Sequence, residues 1–159
     1  HIASPYLSEF PAGYTGIDLL GKRASSGAEI KLLTAEQEEP IVVMLDRWAK
    51  QGVEIKINPN LHGKIYSFQR IRQEYLSERP REMAPPKNWI AIVGSANFTS
   101  PGLGLRKAPG PTVRLEIAVK SYERDIFNRV ETVFHRWWAL SDSVPYLVWR
   151  LRRKTDDNS

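Results

Sequence analysis

The feature that most constrains this chain is a change of hydrophobic period, repeated along its first half. "AEIKLLTA" (28–35) alternates and then runs apolar, as a strand does. "PIVVMLDRWAKQG" (40–52) switches to the helical period, with Ile41, Leu45 and Trp48 on one face. Pro40 suits the first turn of that helix and Gly52 its end. "VEIKINP" (53–59) alternates strictly, so Val53, Ile55 and Ile57 share one side of a strand. Strands joined through helices require a sheet with covered faces. The remaining segments extend the pattern. "HIASPYL" reads as a short strand entering a loop. "TGIDLLGKRASSG" reads as a helix from an N-cap at Thr15 to a stop at Gly27. "HGKIYSF" (62–68) reads as a fourth strand and "WIAIVGSA" (89–96) as a buried central strand. "TVRLEIAVK" (112–120) alternates, which points Leu115, Ile117 and Val119 into the core. "SYERDIFNRVETVFHRWWALSDS" (121–143) is a long amphipathic helix with Ser121 as N-cap and Arg124, Asp125 and Glu131 on its wet side. The expected fold is α/β, a central mixed sheet flanked by helices on both faces.

Residues 69–88 form a polar, proline-rich excursion, and "TSPGLGLRKAPGP" (99–111) a glycine- and proline-rich loop. The end, "WRLRRKTDDNS", reads as frayed. The expected division is one domain over 1–145 and a basic C-terminal tail over 146–159. At 159 residues the chain can bury a core without staples. It has no cysteine, which excludes disulfides and thiolate zinc sites. No apolar run reaches the roughly 20 residues of a membrane helix. An intracellular, cytoplasmic setting without membrane contact is therefore expected. The chain opens at His1, which suits a piece of a larger parent protein carrying further domains. A net charge of +5 favours polyanionic partners, though many basic proteins have none.

Side chains two apart on a strand point the same way. That rule pairs His62 with Lys64, Ser95 with Asn97, and Arg114 with Glu116. One imidazole, one ammonium, one hydroxyl, one carboxamide and one carboxylate then serve three strand ends. Lys64, Ser95 and Asn97 are donors suited to an oxyanion. His62 can act as nucleophile or proton shuttle, and Glu116 can set its tautomer. Taken singly, each has an ordinary structural use. Ser95 and Asn97 can cap a strand end, and Glu116 can serve as an ion-pair partner near Arg114.

"HGK", then "GSANFTSPGL", then "LEIAV" together resemble the phospholipase D superfamily, whose signature is His-x-Lys followed by Gly-Ser-x-Asn. The resemblance spans the chain from the first strand to the long helix. The family usually has an aspartate five residues after the lysine, where this chain has Gln69. In that respect it is similar to the single-motif nuclease branch, with restriction-endonuclease-type and helicase-associated members. There a later glutamate follows Gly-Ser-x-Asn, and Glu116 stands in that place. The resemblance implies a phosphohistidine mechanism using two histidines, with no divalent metal and no cofactor. This chain has three histidines but one motif, so the resemblance implies a homodimer with two copies of His62 facing each other. The expected substrate is nucleic acid, DNA rather than RNA, contacted by Arg106, Lys107, Arg70 and Arg72. The alternatives are a lipid phosphodiesterase and a catalytically silent domain for nucleic-acid binding or dimerisation. Trp137 and Trp138 are expected in core or dimer packing.

Overall fold

The computed structural model describes residues 1–7, 16–69, 88–97 and 117–156. Among these, chain order gives β1 (Ile2–Ala3), α1 (Gly16–Ser25), β2 (Lys31–Thr34), α2 (Ile41–Lys50), β3 (Glu54–Ile57) and β4 (Ile65–Gln69). There follow β5 (Trp89–Gly94), β6 (Ala118–Ser121), α3 (Arg124–Trp138), β7 (Val144–Pro145) and α4 (Tyr146–Asp156). The sheet order is β6-β5-β4-β1-β2-β3-β7. β1, β2 and β3 are parallel, while β4 pairs antiparallel with β1, β5 with β4, β6 with β5 and β7 with β3. This is the α/β architecture that the alternating periods require.

The period-2 alternation sorts the core into two layers. Ile2, Leu32, Ile55, Ile57 and Tyr66 pack on one face with Met44, Leu45 and Trp48 of α2 and Tyr146 of α4. Leu20 and Ala24 of α1 close against the same layer. Ala3, Leu33, Ile65 and Ala91 face the other way, onto Phe127, Val130 and Phe134 of α3. Both early helices end in the same device. Gly27 and Gly52 take φ of +90° and +95°. Gly27 N–H bonds to Ala24 O and Ala28 N–H to Arg23 O, and Gly52 and Val53 bond likewise to Ala49 and Trp48. These are Schellman ends, and only glycine takes the left-handed residue without strain.

The structure corrects several expectations. Pro40 stands just before α2, at its N-cap, instead of in its first turn. α3 starts at Arg124 with Glu123 as N-cap, and Ser121 belongs to β6. Thr15 and Leu115 lie outside the described residues. β5 is second from the end of the sheet and not central, and Val93 is exposed. Ile117 and Val119 are 74% and 69% exposed, so their alternation marks one face of a strand at the sheet's end, not a core face. Glu131 faces inward against β1 and β4 instead of lying on the wet side of α3.

The frayed end is also overturned. Tyr146 is 2% exposed, and its hydroxyl donates to Asp46 Oδ1 at 2.7 Å, with Val42 O at 3.1 Å. Burial, then the hydrogen bond to Asp46, pushes its phenol well above the ordinary range. Arg153 donates to Gln37 O and stacks over Trp149, so α4 is tied to the connection before α2. No helix among the described residues is long and apolar enough to cross a membrane. Tyr146→Ala is expected to cost about 3–5 kcal/mol in urea denaturation, the usual range for deleting a buried aromatic ring. A loss below about 1 kcal/mol would mean that α4 is not part of the core.

Candidate functional site

Strand direction gathers the motif residues before any side chain is considered. β1, β2 and β3 run parallel, so their carboxyl ends share one edge of the sheet. β4 runs against β1 and therefore starts at that edge, with Ile65 opposite Ala3. β5 runs against β4 and finishes there, with Val93 opposite Ile65. β6 starts there, with Ala118 opposite Gly94. His62 and Lys64 immediately precede β4, Ser95 and Asn97 follow β5, and Ile117 precedes β6. Three neighbouring strands, about 4.8 Å apart, thus bring the motif segments to one edge. In α/β sheets the carboxyl ends of the parallel strands are the usual place for a ligand.

Backbone bonds hold these ends side by side. Gly94 N–H donates to Lys64 O at 3.4 Å. Ser95 N–H donates to Ile117 O at 2.9 Å, and Ile117 N–H donates to Ser95 Oγ at 3.0 Å. A Cβ on Gly94 would lie 2.3 Å from Ile117 O and 2.7 Å from Ala118 Cα, both backbone atoms. Glycine is therefore required where β5 meets the start of β6. The Ser95 hydroxyl is turned to the Ile117 backbone, so it caps the strand junction. The Tyr66 hydroxyl donates to Ala96 O at 2.7 Å and pins the residue between Ser95 and Asn97. The Asn97 carboxamide oxygen is buried without a hydrogen-bond partner. Leaving such an acceptor unpaired costs about 1–3 kcal/mol.

The His62 segment departs from its expected form. The strand begins at Ile65, so His62 and Lys64 lie in the loop before it. The Lys64 ammonium donates to the His62 carbonyl at 2.9 Å, which folds the lysine back along its own loop. His62 is exposed and Leu61 beneath it is buried. Asn58 braces the approach: its Oδ1 accepts from Asn60 N–H at 2.9 Å, and its Nδ2 donates to buried Ser143 at 2.9 Å. Gly63 sits under the indole of Trp137, where a Cβ would lie 2.1 Å from the ring. Trp137, Asn58, Asp142 and His62 line a cavity of about 290 Å³. Trp137 is thus part of the wall beside His62, a placement that its position in a tryptophan pair did not disclose.

Glu116, Arg106, Lys107, Arg70 and Arg72 lie outside the described residues. The connection carrying Arg106 and Lys107 leaves Asn97 and returns at Ile117, both at the motif edge. Gln69 is exposed at the opposite end of β4, paired with Trp89.

The other two histidines meet away from this edge, which the sequence reading missed. His1 continues β1 by pairing with Ser67, through N–H···O contacts of 2.7 and 2.9 Å. Its Nδ1 is 2.8 Å from Glu131 Oε2, and His135 Nε2 is 3.7 Å from the same oxygen. The Ser67 hydroxyl donates to the other oxygen, Oε1. The available signal was the spacing of Glu131 and His135, one helical turn apart. Burial would raise the Glu131 pKa, but its hydrogen bonds from His1 and Ser67 outweigh this and hold it below the ordinary 4.5.

A family model described as "Cardiolipin synthase, PLD-like domain" matches residues 1–138. The chain therefore belongs to the phospholipase D-like family, whose chemistry in general is the hydrolysis or transfer of phosphodiesters. No curated protein and no solved structure matches it.

Two outcomes follow from this geometry. Gly94→Ala is expected to destabilise the domain by about 1–3 kcal/mol, because backbone and not a flexible side chain must yield. Guanidinium denaturation reads this, and an unchanged midpoint would refute the close approach. Glu131, with its folded pKa depressed, contributes stability that is present above pH 4.5 and lost as pH falls through the folded value. The gap in Tm between wild type and Glu131→Gln should therefore shrink as pH is lowered from 6 to about 3. A gap that stays constant would show that the carboxylate's charge contributes nothing.

Proposed function

We propose that this chain is a metal-independent phosphodiesterase that cleaves nucleic acid through a phosphohistidine on His62, working as a homodimer. DNA is the preferred substrate. The observation that carries the reading is that the segments bearing His62, Lys64, Ser95 and Asn97 lie at one sheet edge, beside Ile117 at the start of β6. The net charge of +5 supports a polyanionic substrate. Arg106, Lys107, Arg70 and Arg72 are assigned to the phosphate backbone.

In the proposed reaction an imidazole nitrogen of His62 attacks phosphorus, and the bond to the leaving sugar oxygen breaks. That oxygen takes a proton from the imidazolium of His62 of the partner subunit. Water then attacks the phosphohistidine, passing its proton back to that second imidazole as the P–N bond breaks. Lys64 neutralises the charge that gathers on the non-bridging oxygens, and the Asn97 amide donates to them. Ser95 holds the β5–β6 junction, and Glu116 orients His62. The supply of a second His62 is the reason for a dimer. Val93, Ile117 and Val119 form an exposed apolar face beside Ser95, at the end of the described sheet. A second copy covering that face would remove both the apolar surface and the strand edge from water.

The test is cleavage of labelled single- and double-stranded DNA in EDTA, with His62→Ala alongside. Cutting by the wild type and a loss of at least about 1,000-fold in the mutant is the expected result. Cutting that EDTA abolishes would overturn the mechanism. Binding that survives in both proteins without cutting would make this a silent binding domain. A lipid phosphodiesterase is the second reading, favoured by the description of the matching family model. Phosphatidylglycerol vesicles in the same assay decide between the two substrates, and sedimentation at the assay concentration reads the dimer.

A further inference from the structure

We propose that His1, Glu131 and His135 form a binding site for a divalent transition-metal ion of the zinc type, separate from the His62 edge. The three side chains present one ligand atom each, all within 4.8 Å of one another. Two imidazoles and one carboxylate are a borderline-soft donor set that suits Zn²⁺ and excludes Mg²⁺ or Ca²⁺ as the preferred ion. Tetrahedral bonds of about 2.0–2.2 Å place ligand atoms about 3.3 Å from each other. Here His1 Nδ1 and Glu131 Oε2 are 2.8 Å apart, and Glu131 Oε2 and His135 Nε2 are 3.7 Å apart. Those two spacings bracket the requirement, and the two imidazole nitrogens lie within 4.8 Å of each other, so an ion draws them together by at most about 1.5 Å.

The surroundings hold the ligands in place. His1 is fixed by its ladder pair with Ser67, and its ring stacks on Phe134 with centroids 4.6 Å apart. The His135 ring stands edge-on to it at 5.0 Å. Glu131 and His135 are i and i+4 on α3, the spacing at which helical side chains share an ion. Ser67 engages Oε1 of Glu131, which is also 3.0 Å from His1 Nδ1, while Oε2 faces both imidazoles. Such an outer hydrogen bond orients a ligating carboxylate. The half-buried His1 and Glu131 form the inner wall, and His135, 52% exposed, provides the way in. A fourth position stays open to water.

The site joins β1 and α3, and Ser67 stands about 10 Å along β4 from Lys64. Its role is to clamp the first strand to the helix, and it takes no part in the phosphodiester reaction. Chelator-resistant cleavage and metal binding are therefore compatible.

The test is titration of untagged, EDTA-stripped protein with ZnCl₂ by calorimetry, and with CoCl₂ by visible absorption. The expected result is one ion per chain, Kd below about 10 µM, and a Tm rise of about 5 °C in excess Zn²⁺. Co²⁺ should give the visible bands of a tetrahedral N/O site. His135→Ala, at an exposed position that leaves the core intact, should lose at least about 10-fold in affinity, and Glu131→Gln likewise. His62→Ala should bind as the wild type does. A Kd above about 10 µM, or affinity undiminished in His135→Ala, would overturn the proposal. Circular dichroism confirms that each variant is folded, and the wild-type Co²⁺ spectrum decides independently of any variant.

Discussion

The candidate site depends on main-chain pairing at one end of three strands. The bonds from Gly94 to Lys64 and between Ser95 and Ile117 carry the sheet ladder just past its regular ends. This places segments separated by many residues of chain within one or two strand spacings of each other. The absence of a side chain at residue 94 permits that approach. Tyr66, Ser95 and Asn97 take their positions from it. The chemistry is carried by side chains, but its placement is decided by backbone.

The two core layers serve this placement differently. One is bounded by α1, α2 and α4, with Trp48, Leu45 and Tyr146 sealed inside it, and reaches the motif through Tyr66. The other lies under α3, which runs from the β5–β4 surface to the His62 loop and ends with Trp137 on Gly63. A single helix thus spans the His1 cluster in its body and the wall of the His62 cavity at its end. Its hydrophobic stripe of Phe127, Val130 and Phe134 fixes both.

The sequence disclosed the sheet and its helices because strict alternation at 53–57 and helical spacing at 41–48 leave few other structures open. It also disclosed the order of His62, Lys64, Ser95 and Asn97 at strand ends. What it missed has physical reasons. Ile117 and Val119 alternate as core residues do, because period 2 reports that a face is apolar, not that something covers it. The end of the chain looks charged and frayed because its anchors, Tyr146 on Asp46 and Arg153 on Gln37, have partners 100 and 116 residues away. His1 and Glu131 are 130 residues apart, and no local pattern connects them. The His62 segment reads as strand by composition, yet the ladder begins only at Ile65. Composition does not show where pairing starts.

The indole of Trp137 rests on the backbone of residue 63 and borders the same cavity as His62. A change in polarity at that loop therefore alters its emission, against a background from Trp48, sealed in the opposite layer, and from Trp89, Trp138 and Trp149. The protein carries a built-in optical sensor one residue from its candidate nucleophile. The difference in emission between wild type and Trp137→Phe isolates that reporter, so occupancy of the cavity can be followed in unlabelled protein, separately from turnover.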